Sequence, residues 1–68
     1  MTKFKVGDRI VIRPNPRVDE VFRHKHGVIT SITDYDIYFD LDQPVRVRSG
    51  RMDKSWSTSN EDNLAFED

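Results

Sequence analysis

The sequence predicts an all-β domain of five short strands, with a tight 3-10 turn before the last one. Three observations predict it. Apolar and polar residues alternate with a period of two at Arg9-Ile10-Val11-Ile12-Arg13 and from Asp34 to Asp42. β-Branched residues crowd Gly27-Val28-Ile29-Thr30-Ser31-Ile32-Thr33. Gly, Pro, Asn and Asp gather between these runs, where turns require them.

Each element follows from its residues. Val6-Gly7-Asp8 is a turn signal. In the strand after it, Ile10 and Ile12 share one face, and Arg9, Val11 and Arg13 the other. Pro14-Asn15-Pro16 stops that strand, since proline has no N–H to give a ladder. Residues 14–26 form a long polar connection interrupted by Val18, Val21 and Phe22, too short and too proline-flanked for a regular helix. A second strand covers Gly27 to Thr33. The third has Tyr35, Ile37, Phe39 and Leu41 on one face and Asp34, Asp36, Tyr38, Asp40 and Asp42 on the other. Gln43-Pro44 is read as a turn, after which Val45-Arg46-Val47-Arg48 alternates again. Residues 49–54 read as a loop, Ser55-Trp56-Ser57-Thr58 as a strand, and Ser59 to Asn63 as a capped 3-10 turn. Leu64-Ala65-Phe66 closes the domain.

Composition bounds the function. The chain has 68 residues, room for one domain over 1–68. A domain of this size buries only about 60% of its unfolded surface, so its stability is modest. The 35% hydrophobic and 34% charged fractions imply a small core under a densely charged surface. There are no cysteines, which removes disulfides and thiolate zinc sites and favours a cytoplasmic setting. The first ten residues, MTKFKVGDRI, have no apolar signal-peptide core. The apolar run Ile10-Val11-Ile12 is far short of the roughly 20 residues of a membrane helix, and none is longer. Residues 1–30 hold seven basic and three acidic side chains, a net of +4; residues 31–68 hold four and nine, a net of −5. The asymmetry fits either a molecule with two differently charged faces or charges paired across a sheet.

The order of these signals resembles the SH3-like small β-barrels. Val6-Gly7-Asp8-Arg9-Ile10-Val11-Ile12 comes first, then Gly27-Val28 with Ile32, Tyr35 to Phe39, Trp56, and Glu61-Asp62-Asn63-Leu64. The resemblance implies a single five-stranded SH3-like barrel over nearly the whole chain. That group includes KOW modules, which bind RNA or ribosomal and polymerase proteins. It includes the small barrel protein of photosystem I, which docks onto larger proteins, and short accessory proteins of phages and bacteria. It therefore implies a binding module.

Arg23-His24-Lys25-His26 is the densest basic cluster, with Arg13 and Arg17 nearby: a phosphate grip, or a solvated loop that balances acidic strands. His24 and His26 are a weak metal pair without a further His or Cys, so no metal and no cofactor is expected. Asp34, Asp36, Asp40 and Asp42 share one face, where alternate residues stand about 6.6 Å apart, a spacing near that of nucleic-acid phosphates. The plainer reading pairs Asp40 and Asp42 with Arg46 and Arg48 across the Gln43-Pro44 turn. Trp56 is either core or binding surface, and Tyr38, flanked by Asp36 and Asp40, is an interface anchor. No nucleophile elbow or Gly-rich phosphate loop is present, so catalysis is not expected. The leading expectation is a protein-binding accessory module docking on a larger protein, with Arg13, Arg17, Arg23, Tyr38, Arg46, Arg48 and Trp56 as contacts. The alternative is a KOW-like nucleic-acid-binding barrel using basic loops 13–26 and 46–54. A third is pairing of edge strands between copies.

Overall fold

The computed structural model describes residues 2–67. Five strands form one antiparallel sheet: β1 (Arg9–Ile12), β2 (His26–Ile32), β3 (Ile37–Arg46), β4 (Met52–Thr58) and β5 (Leu64–Phe66). Their order across the sheet is β4-β3-β2-β1-β5. Two single 3-10 turns complete the fold, Glu20–Phe22 and Glu61–Asn63. The second stands immediately before the last strand, as the sequence predicts. It begins at Asn60, whose side chain accepts a hydrogen bond from the Asp62 N–H at 2.9 Å.

Alternation builds the core. Ile10 and Ile12 from β1, Ile29 from β2, Ile37, Phe39, Leu41 and Val45 from β3, and Leu64 from β5 are all buried together. Burying one such side chain contributes roughly 1.5–3 kcal/mol. The 14–26 connection is not merely a polar loop. It folds inward through Val18 and Phe22, both buried, and closes one side of the core. Two backbone hydrogen bonds anchor its return: His24 N–H to the Ile12 carbonyl and Ile12 N–H to the Lys25 carbonyl, each 2.8 Å. At the other end, the buried Thr58 hydroxyl accepts from Asn63 Nδ2 at 2.9 Å and ties β4 to the second 3-10 turn.

Three expectations are corrected. Tyr35 does not join the inward face of β3. The strand starts at Ile37, and Tyr35 sits in a turn held by Thr33 Oγ1, 82% exposed. Gln43-Pro44 is not a turn between strands. β3 runs through it to Arg46, and β4 begins at Met52 inside the expected loop. Asp40 pairs with Ser55 and Val45 with Asp53, so residues 41–44 of β3 face only Lys54. Pro44 is tolerated there because a bulge, unlike a regular ladder, does not need its missing N–H. Consequently Asp40 and Asp42 are not brought beside Arg46 and Arg48. Arg46 pairs with Met52, and Asp42 bonds to Arg9.

The bulge also shapes the hairpin. Pairing between β2 and β3 ends at Gly27 with Leu41. Beyond Leu41 the β3–β4 hairpin continues as a two-stranded arm, through Val45–Asp53 and Arg46–Met52 to a turn where Gly50 donates to the Val47 carbonyl at 2.8 Å. Gly50 has φ +91°, a conformation that suits glycine.

Candidate docking surface

The candidate residues divide among three places. Tyr38 and Trp56 stand on neighbouring strands but on opposite faces of the sheet, since Tyr38 is matched with Ser57 and Trp56 with the buried Phe39. Both line a shallow cleft with Thr30, Phe39, Asp40, Ser55 and Ser57. β3 positions Tyr38 on its outer face, exposed, with its hydroxyl 3.4 Å from Asp36 Oδ2. β4 positions Trp56 opposite Phe39. The indole stacks on Phe22 with ring centres 5.5 Å apart and meets Phe39 edge-on at 5.6 Å. Trp56 is therefore half-buried: packed against the core yet reaching the surface beside the sheet edge.

Arg46 and Lys54 lie on the two strands of the arm and Arg48 and Arg51 in the turn that joins them, with Met52 52% exposed among them. Of these, Arg51 is engaged by Asp53 at 3.0 and 3.1 Å. The His24–Lys25–His26 segment borders the base of the arm, sharing a cleft with Asp42, Gln43, Pro44 and Val45. A basic end thus forms from two separate stretches of sequence. The opposite end of β3 is acidic: Asp34, Asp36 and Glu61 line one cleft with Tyr35.

The remaining candidates fall elsewhere. Arg13 lies at the end of β1, separated from β4 by two strands. Its N–H donates to the Asn63 carbonyl at 2.8 Å, and its guanidinium reaches the Asp62 carbonyl at 3.4 Å. Arg17 is exposed in the connection, its N–H on Asn15 Oδ1 at 3.0 Å. Arg23 is half-buried and donates to the Val18 and Pro16 carbonyls at 3.1 and 3.3 Å. It braces its own loop.

Sequence reasoning misses one constellation. Arg9 of β1 bonds to Asp42 of β3 and, at 2.9 Å, to Glu67 after β5; Glu67 also meets His26 Nδ1 of β2 at 2.6 Å. Hydrogen bonds from Arg9 and then His26 hold the Glu67 carboxyl down at about 2, and its bonds to Glu67 and Asp42 hold the Arg9 guanidinium above its ordinary range. Four elements are laced together across the outer face. No local signal announces it, since Arg9 and Glu67 are 58 positions apart. The half-chain charge asymmetry is the one trace. It proves to be partly cross-sheet pairing and partly separation into two ends.

Among the described residues, no helix is long and apolar enough to cross a membrane, and no group of three or more His, Asp or Glu is placed to hold a metal ion. Comparison with family models, curated proteins and solved structures finds no match.

Proposed function

We propose that the protein is a non-catalytic binding module that docks on a larger protein through its β3–β4 hairpin. One observation carries the reading. β4 is an edge strand seven residues long, without proline, and among the described residues no strand pairs with its outer side. Such an edge offers unpaired N–H and C=O groups to an extended segment of a partner. The exposed Tyr38 on the outer face of β3 and the half-buried Trp56 on the inner face of β4 flank that edge with aromatic residues of the type that dominates protein interfaces. Arg46 and Arg48 lie at one end of the same edge.

The test uses tagged protein and nuclease-treated lysate, followed by amide exchange on the recovered complex. Binding should slow exchange along Met52–Thr58, and Tyr38→Ala should weaken capture about tenfold or more. A complex that leaves β4 unprotected and tolerates Tyr38→Ala would remove this surface.

A second reading has its own observation: the arm is a two-stranded ribbon bearing Arg46, Arg48, Arg51 and Lys54. A ribbon of that form fits the major groove of duplex DNA. It requires binding that falls steeply as salt rises. Absence of binding to duplex or single-stranded nucleic acid at low salt dismisses it.

A further inference from the structure

We infer that β4 pairs with β4 of a second copy of this chain, antiparallel about a two-fold axis at Ser55. The inference rests on the reading of β4 as the recognition edge and names one occupant for it.

Two independent features of the edge point to self-pairing. The first is register. With Ser55 opposite its own copy, Lys54 stands opposite the second copy's Trp56 and Asp53 opposite the second copy's Ser57. No like charges face each other. Shifting the axis to Lys54 or to Asp53 would set like charges directly opposite, which is destabilising. The second feature is the charge along the edge. Arg46, Arg48 and Arg51 precede β4, whereas Glu61 follows it and shares a cleft with Asp34 and Asp36. An antiparallel pairing lays the basic end of one copy along the acidic end of the other, and does so twice. A parallel pairing would set basic against basic. The edge is thus complementary to its own reverse, the requirement for a closed two-fold interface.

Pairing in this way joins two five-stranded sheets into one of ten strands and leaves no free β4 edge. A larger partner that uses the same edge must displace the second copy, so the dimer is a self-capped form of the module.

The natural absence of cysteine gives a clean experiment. Directly opposite residues in an antiparallel pair have Cα atoms about 4.5–5.5 Å apart, within disulfide range. Under mild oxidation, Ser55→Cys should yield a disulfide-linked dimer. Ser57→Cys alone should not, but mixed with Asp53→Cys it should. Sedimentation of the natural chain should show a monomer–dimer equilibrium that shifts toward monomer as salt rises. Arg48→Glu combined with Arg51→Glu should weaken it at least tenfold, with the sheet intact by circular dichroism. Monomer at every concentration, or cross-linking of Ser57→Cys to itself in preference to Ser55→Cys, overturns the inference. Those results leave docking on a different protein untouched, because that reading is judged by β4 protection in the hetero-complex.

Discussion

Of the three glycines, only Gly27 has no room for a side chain. β2 crosses β3 so closely there that a Cβ would fall on the Asp40 carbonyl oxygen, with the Asp40 carbonyl carbon at 3.1 Å and Leu41 Cα at 3.3 Å. All three obstacles are backbone and cannot swing aside. Gly27→Ala should therefore cost about 1–3 kcal/mol, read as a lowered urea midpoint. His24 is the opposite case. It holds φ +66°, the left-handed region that glycine occupies freely and other residues enter at a cost. Its N–H bond to Ile12 keeps it there. His24→Gly should raise stability by up to about 1 kcal/mol, and His24→Val should lower it by at least as much. Equilibrium unfolding of the three proteins decides the order.

Among the elements, the 14–26 connection depends on Phe22. Its ring packs into the core and stacks on Trp56 of β4. Phe22→Ala should cost about 3 kcal/mol and release the connection first, seen as faster amide exchange at Val18, Phe22 and Arg23 and as a shift in Trp56 fluorescence. What is legible in the sequence also separates by element. β1, β2, β5 and the second 3-10 turn are readable because local alternation and caps determine them. Tyr38 and Trp56 stand out because aromatic residues amid polar ones are conspicuous. The inward turn of Val18 and Phe22 is not readable, because Val18, Val21 and Phe22, though at helical spacing, are too few between Pro16 and His26 to mark a buried face. The bulge at 41–44 is hidden for a physical reason: a proline that ends a regular ladder and one that sits in a bulge look alike until the partner strand is known. The pairing of Asp42 is lost with it. The engagement of Arg23 with its own loop is equally hidden, since side chain to backbone bonds leave no pattern in composition.

For the whole molecule, the Arg9–Asp42–Glu67–His26 constellation contributes an acid-sensitive part of the stability. Glu67 has a folded value of about 2 against an ordinary 4.5, so its contribution to stability is complete above about 4.5. The contribution fades as pH falls below that and is gone once pH has passed below about 2. Arg9 and Asp42 are exposed and Glu67 partly so, and salt screens the effect. Glu67→Gln should flatten the fall in thermal midpoint between pH 4.5 and pH 2 relative to the natural chain. Identical acid profiles for the two proteins would show that the constellation is decorative. The pairing of β1 with β5 has a further consequence, in time rather than space. Ile10 is matched with Phe66, and Ile12 with Leu64. While a ribosome is making this chain, β1 emerges first of the strands, and its outer side stays bare until every other strand has been made. The hairpins can form as they leave the exit tunnel, but the sheet is finished only after the residues around Leu64 are free. A nascent chain stalled before that point would present an open strand to the cell. The strand made first therefore waits longest for its second neighbour.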